Sequence, residues 1–105
     1  MYEDALRENP QMSGIHLRLG AAYRRNGQLE EAISAYLRGI DVEPGNVSLY
    51  NNLSSAYGAA GQLEEALEAC RKALEIDPEN TRARENWAAL KRFSEEGEKV
   101  DLTEP

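Results

Sequence analysis

Residues 13–46 read SGIHLRLGAAYRRNGQLEEAISAYLRGIDVEPGN, and residues 47–80 read VSLYNNLSSAYGAAGQLEEALEACRKALEIDPEN. The two stretches align without a gap, and 12 of their 34 positions are identical. The identical pairs are Leu19/Leu53, Ala22/Ala56, Tyr23/Tyr57, Gly27/Gly61, Gln28/Gln62, Leu29/Leu63, Glu30/Glu64, Glu31/Glu65, Ala32/Ala66, Ala35/Ala69, Pro44/Pro78 and Asn46/Asn80. Self-similarity at a fixed period of this length is typical of proteins that stack one small structural unit.

The same period continues on both sides of the two copies. Residues 1–12 resemble the end of an earlier copy, because three of them lie 34 positions before similar residues. These pairs are Tyr2/Tyr36, Leu6/Ile40 and Pro10/Pro44. Residues 81–93 match the first half of a third copy, with Lys91 at the position of Tyr57. The loss of that aromatic residue predicts a capping helix with a polar outer side, which the ends of stacked repeats require.

Each copy predicts two helices separated by a short turn. In the first copy, Ile15, Leu19 and Tyr23 recur at helical spacing, and Gly27 marks the end of that helix. A second apolar series follows and ends at Pro44, which cannot continue a helix. We predict helices over residues 1–9, 14–26, 29–42, 48–60, 63–76 and 81–93.

The net charge of the 105-residue chain is −7, and it is unevenly distributed. Residues 94–105 contain five acidic residues and one Lys, whereas residues 1–93 contain 14 acidic and 11 basic residues. We predict that residues 1–93 form one repeat domain and that residues 94–105, which lack apolar periodicity, form a disordered acidic tail. An acidic chain is a poor candidate for nucleic-acid binding, which needs clustered Lys and Arg.

Other classes of function are disfavoured by what the sequence lacks. No apolar run approaches the ~20 residues that span a bilayer, so we expect no membrane association. The single cysteine, Cys70, excludes an internal disulfide and favours a reducing, cytoplasmic setting. There is no metal-ligand cluster, nucleophile motif or glycine-rich phosphate loop, so we expect no metal, no cofactor and no enzymatic activity.

The residues that recur in the two copies resemble the pattern of the tetratricopeptide-repeat (TPR) family. In the first copy they are His16, Leu19, Gly20, Tyr23, Ala32, Tyr36 and Pro44, and in the second Tyr50, Leu53, Ser54, Tyr57, Ala66, Cys70 and Pro78. The resemblance implies an all-α solenoid of helix-turn-helix units. It would contain two full repeats (13–46 and 47–80), an N-terminal half-repeat (1–12) and a C-terminal capping helix (81–93).

In this family the first helices of successive repeats line a concave groove that binds a peptide or a partner helix. The resemblance places a peptide-binding groove at Arg18, Arg24, Arg25, Asn51, Asn52, Ser55, Arg82 and Asn86. Arginine pairs well with carboxylates, so an acidic peptide is a reasonable ligand. An alternative remains open for the arginines at helix ends, Arg24 and Arg25, because cations there also complement the helix dipole.

Some family members bind chaperone C-termini with a clamp for two carboxylates. The resemblance aligns the five clamp positions with Leu17, Ala21, Asn52, Arg82 and Asn86. Only Asn52 and Arg82 carry side chains that fit the clamp, so we do not expect a standard chaperone clamp in this chain.

The sequence therefore predicts a protein-interaction scaffold that binds a peptide or partner segment. The alternative is a regulatory or substrate-recruiting TPR module of a larger multidomain enzyme, which residues outside this chain would reveal. The assembly is predicted to be a monomer or a weak homo-oligomer. Oligomers would form through the amino-terminal half-repeat, where Tyr2 and Leu6 lack a partner helix on one side, unless Glu3 and Arg7 shield it.

Overall fold

The computed structural model describes the backbone of residues 14–103 and the side chains of residues 14–95. Its helices are α1 (Ile15–Arg25), α2 (Leu29–Val42), α3 (Val47–Ala59), α4 (Leu63–Ile76) and α5 (Thr81–Thr103). No strand occurs among these residues, which confirms the all-α fold. The predicted helix over 1–9, the half-repeat over 1–12 and the proposed oligomer contact lie outside the described residues.

The two copies close their helix pairs with the same turn. Gly27 and Gly61 adopt left-handed φ angles of 79° and 81°, which glycine tolerates without steric cost. The backbone N–H groups of Gln28 and Gln62 then donate to the carbonyls of Tyr23 and Tyr57, both at 2.9 Å. These bonds satisfy carbonyls that the end of a helix would otherwise leave unpaired. The repeated Asn/Ala-Gly-Gln sequence thus explains the repeated geometry.

Asparagine side chains fix the start of the second and third units. The Asn46 Oδ1 atom accepts a hydrogen bond from the Ser48 N–H at 3.0 Å, at the first residues of α3. The Asn80 Oδ1 atom accepts one from the Ala83 N–H at 2.9 Å, at the first turn of α5. Both side chains occupy an N-cap position and satisfy amide groups that have no partner within the helix.

Small residues set the distance between the helices of each pair. The fully buried Tyr36 ring of α2 packs against Gly20 of α1, so closely that a Cβ atom at residue 20 would lie 2.4 Å from it. In the second copy, Ser54 and Cys70 take these two positions, with the Ser54 Oγ atom 3.4 Å from the Cys70 Sγ atom. A smaller residue on α4 therefore leaves room for a larger one on α3.

Gly39 serves packing at the centre of α2. From helix propensity alone it costs about 1 kcal/mol relative to alanine, the residue at the equivalent position 73. A Cβ atom at Gly39 would lie 2.8 Å from both the His16 Cβ atom and the Leu49 Cδ2 atom. Glycine at this position therefore allows α1 and α3 to approach α2 more closely than alanine would.

The last helix is longer than predicted. The sequence predicts a cap that ends at residue 93 and a disordered tail from residue 94, whereas the α5 backbone is helical to Thr103. The expected end was wrong because elongation of an existing helix costs little, and Glu, Lys and Leu are good helix formers even where apolar periodicity is lost. The division of the chain into domains at this point stays a prediction.

Candidate functional site

The arrangement of the helices creates a concave face. Residues of α1 contact α3, and residues of α3 contact α5, whereas no Cα atoms of α2 and α4 come within 8 Å of one another. Since the first helices of the repeats approach each other and the second helices diverge, the stack curves towards the first helices. The concave face is therefore formed by α1, α3 and α5.

Two neighbouring cavities open on the concave face. The first, of about 280 Å³, lies between α1 and α3, and the second, of about 220 Å³, lies between α3 and α5. The first is lined by Ala21, Arg24, Arg25, Tyr36 and Asn52. The second is lined by Arg24, Ser54, Ser55, Gly58, Asn86, Ala89 and Leu90. Arg24 borders both cavities, so a ligand that spans them would pass beside its guanidinium group.

Most of the predicted groove residues lie together on this face. Arg24, Arg25 and Asn52 line the first cavity, and Ser55 and Asn86 line the second. The two remaining arginines, Arg18 and Arg82, are exposed on α1 and α5. Their role in ligand binding stays a prediction.

Asn51 is the exception and requires a correction. Only 4% of this residue is exposed, and its Nδ2 atom donates to the Asn80 Oδ1 atom at 3.1 Å. The assignment of Asn51 to the groove is therefore wrong, because its side chain points into the interface of α3 with the start of α5. It connects the second repeat to the N-cap of the third unit and is a structural residue.

The two asparagines that lie one repeat apart differ in their hydrogen bonding. The Asn52 Nδ2 atom donates to the Ser48 carbonyl at 2.9 Å, and its Oδ1 atom accepts a bond from Arg82 Nη2 at 3.3 Å. The Asn86 Nδ2 atom is buried and has no hydrogen-bond partner. Buried polar groups are normally paired. Of the two side-chain amides, that of Asn86 is therefore the better placed to donate to a hydrogen-bond acceptor of a ligand.

Tyr36 belongs to the site, although its sequence pattern indicates only a core aromatic residue. Its hydroxyl group is buried without a hydrogen-bond partner, and the residue lines the first cavity. Burial raises the pKa of this phenol, and the nearby charges of Arg24, Arg82 and Arg25 lower it. The hydroxyl group could have indicated this role from the sequence, because a buried tyrosine usually needs a polar partner for its hydroxyl group.

Comparison with known sequences identifies the family of this chain. The sequence profile described as tetratricopeptide repeat matches residues 1–46 and 17–81. The chain belongs to the tetratricopeptide-repeat family. As a TPR domain, it is a protein–protein interaction module. A comparison with curated protein sequences gives no significant match.

Solved TPR structures share this fold at low sequence identity. The first TPR domain of Spaghetti (RPAP3), bound to the HSP90 peptide SRMEEVD, is 21% identical, with a TM-score of 0.83 over 88% of this chain and 73% of that one. The TPR domain of Arabidopsis OM64 is also 21% identical, with a TM-score of 0.82 over 88% and 76%. The Sgt2 TPR domain from Aspergillus fumigatus is 24% identical, with a TM-score of 0.86 over 93% and 66%. These likenesses show the TPR fold.

The described residues bear on two further kinds of polar site, a reactive thiol and a metal centre. Burial raises the pKa of the Cys70 thiol, although its contact with Ser54 acts in the opposite direction. A thiol with a raised pKa is a poor nucleophile at neutral pH. Within residues 14–95, no group of three or more His, Cys, Asp or Glu side chains is placed to hold a metal ion. The described helices include none that is long and apolar enough to cross a membrane.

Proposed function

We propose that the concave face binds a peptide or an extended segment of a partner protein, and that it prefers acidic segments. The observation that carries this proposal is the contrast in charge between this face and the whole chain. The described residues that line its two cavities include Arg24 and Arg25 and no acidic residue, and Arg18 and Arg82 are exposed on α1 and α5, whereas the chain has a net charge of −7.

The side chains on this face suit two kinds of ligand group. Arg18 and Arg82 are exposed and can pair with carboxylates of the ligand. Asn52 and Asn86 carry amides, which can donate to and accept from a peptide backbone. Asn86 already has a free donor, while Asn52 must first release its 3.3 Å contact with Arg82. That contact is long, so a charged ligand can replace it at small cost.

One structural relative gives independent support for a short peptide ligand. The Spaghetti TPR domain is solved with the peptide SRMEEVD, which contains three acidic residues. Our proposal for this chain extends to acidic segments but not to that chaperone sequence. Only Asn52 and Arg82 match the two-carboxylate clamp, so the further carboxylate contacts must come from other residues of the groove.

The proposal is tested by the affinity of fluorescein-labelled hexaglutamate, hexaglutamine and hexalysine, measured by fluorescence anisotropy. We expect hexaglutamate to bind with a dissociation constant in the micromolar range or weaker, because exposed charge pairs contribute about 0–1 kcal/mol each. Binding should weaken between about 50 mM and about 300 mM salt, since screening acts on exposed charges. Hexalysine is expected not to bind.

Two variants complete the test. Asn52→Ala combined with Arg82→Ala should weaken hexaglutamate binding by about 3- to 10-fold. Arg38→Ala is the matched control, because Arg38 is an exposed arginine of the outer helix α2 and donates to Ser34 in the same helix. If the double variant and the control bind hexaglutamate as tightly as the unmodified protein, the groove assignment fails.

A further inference from the structure

We propose that the Tyr36 hydroxyl, together with Arg24 and Arg25, forms a subsite for one carboxylate group of the bound segment. This inference rests on the proposed function and names the atoms that receive one ligand group. None of these three positions is among the five that align with the chaperone clamp. The subsite would therefore distinguish the recognition of this chain from that of clamp-type TPR domains.

The position of the Tyr36 hydroxyl is fixed by packing. The ring is fully buried, and three of its atoms lie within 2.8 Å of where a Cβ atom at Gly20 would stand. No side chain at residue 20 separates the ring from α1, so the ring passes under α1 towards the concave face. The Cζ atom, which bears the hydroxyl group, is one of these three atoms, and Tyr36 lines the first cavity together with Ala21 and Asn52.

The Tyr36 hydroxyl is also unpaired. A buried hydroxyl group without a hydrogen bond has lost its contacts with water and gained none in return, and buried polar atoms of this kind are rare in folded proteins. Phenylalanine would fill the same space without this cost. The free hydroxyl is explained if it donates to a ligand atom that is absent from the unbound protein.

The charged residues near the Tyr36 hydroxyl group favour an anionic ligand. The described residues that line the cavity include two arginines and no acidic residue. Arg24, Arg82 and Arg25 all act electrostatically on the phenol. Because burial keeps the pKa of Tyr36 above its ordinary value, the hydroxyl is protonated at neutral pH and can donate. A hydrogen-bond donor beside a cavity lined by arginines is complementary to a carboxylate.

The approach to the hydroxyl requires local movement. The Tyr36 hydroxyl has almost no accessible surface, whereas Arg25 is exposed and Arg24 is half-buried. Exposed side chains change rotamer within nanoseconds, so Arg25 can turn towards a carboxylate, and a smaller movement of Arg24 opens access to the hydroxyl group. The expected bound state has one carboxylate oxygen on Tyr36 and the other on an arginine.

The experiment uses the full chain and the isosteric change Tyr36→Phe, which removes only the hydroxyl oxygen. Tyr57→Phe is the matched control, because Tyr57 is half-buried and lines a different cavity on the outer side, with Leu37 and Lys72. Circular dichroism and thermal unfolding first establish that both variants fold. Since the lost hydroxyl is unpaired, Tyr36→Phe is expected to keep or raise the melting temperature.

Binding is then measured with hexaglutamate as a free acid, hexaglutamate with an amidated C-terminus, and hexaglutamine as a free acid. Tyr36→Phe should weaken the binding of at least one carboxylate-bearing probe by about ten-fold or more, as expected for a hydrogen bond to a charged group. A loss that persists with the amidated probe assigns the subsite to a side-chain carboxylate. A loss confined to the free acids assigns it to the C-terminus.

The binding data can disprove the Tyr36 subsite without disproving the proposed function. If the unmodified protein binds hexaglutamate and Tyr36→Phe binds every probe equally well, the subsite is wrong and the proposed function stands. The subsite is also wrong if Tyr57→Phe causes an equal loss, because the effect would not be specific to the Tyr36 hydroxyl. If the unmodified protein binds no acidic probe, the acidic preference and the subsite are both wrong.

Discussion

Tyr36 of α2 occupies the space that a side chain at Gly20 of α1 would need, because a Cβ atom there would lie 2.4 Å from the Tyr36 Cε1 atom. An aromatic ring cannot yield at this distance without moving one of the helices. The contact between these two residues therefore sets the separation of α1 and α2. It also sets how far the Tyr36 hydroxyl extends towards the concave face.

The first prediction concerns glycine in the helices. Gly20→Ala should lower the free energy of unfolding by about 1–3 kcal/mol, because overpacking outweighs the gain in helix propensity. Gly58→Ala is the control, since its Cβ atom would lie 3.6 Å from the Leu90 Cδ2 atom, an ordinary contact. That change should raise stability by up to about 1 kcal/mol. Urea denaturation measures both, and equal stabilities would contradict the packing argument.

The second prediction concerns the equivalent pair in the second repeat. Cys70→Tyr should lower the free energy of unfolding by about 1–3 kcal/mol, because the ring would collide with Ser54, whose Oγ atom donates to the Ala66 carbonyl at 2.9 Å. Adding Ser54→Gly should restore part of that loss, since it recreates the arrangement of Gly20 and Tyr36. Ser54→Gly alone should destabilise, because it removes the hydrogen bond and leaves a void.

The combination of these variants forms a double-mutant cycle. We expect a coupling free energy of about 1–3 kcal/mol that favours the paired replacement. Strictly additive effects of the two changes in urea denaturation would show that residues 54 and 70 are not matched in size.

The third prediction separates the two adjacent asparagines. Asn51→Ala should lower stability by about 1–2 kcal/mol, because Asn51 is buried and bonded to Asn80, but it should leave hexaglutamate binding unchanged. Asn52→Ala should change stability by less than about 0.5 kcal/mol, as is usual for surface positions, and should weaken binding. Thermal unfolding and anisotropy titration measure the two effects. The reverse pattern would restore Asn51 to the groove.

The sequence predicts most of the fold of this TPR domain. The helix bounds predicted from the turn glycines and prolines lie within one residue of those observed for α1 to α4. Each turn requires either a left-handed glycine or a proline that ends the helix. The end of α5 was not predictable from periodicity, because helices continue through polar residues at little cost. Residues of the site were predicted by helix face alone, and that reasoning fails where neighbouring helices cover part of a face.

Asn51 and Tyr36 show this failure in opposite directions. Asn51 is next to Asn52 in α3 but lies about 100° further round the helix, where it contacts the start of α5. The spacing along one helix does not reveal that contact. Tyr36 follows the core pattern of α2, yet it lines the cavity between α1 and α3. Both outcomes depend on distances between helices, and these are set by small residues such as Gly20.

The fourth prediction concerns alkaline pH. Burial raises the folded-state pKa of the Cys70 thiol above its ordinary value of 9.0. The unfolded chain then loses its proton first, so the contribution of Cys70 to stability is fully present below about pH 9 and is lost as pH rises through the folded pKa. Cys70→Ala should therefore lose less stability than the unmodified protein between about pH 8 and pH 10. Parallel pH profiles in urea denaturation would contradict this.

The central claim, that the concave face is the binding surface, is tested most directly by ¹H–¹⁵N NMR of the full chain during titration with hexaglutamate. We expect the largest amide shift changes at residues of α1, α3 and α5 that face the two cavities, and small changes on the outer side. The concave probes are Ala21, Asn52, Ser55 and Asn86, and the outer probes are Leu37, Tyr50 and Lys72. Shift changes centred on the outer probes, with the concave probes unmoved at saturation, would contradict the account.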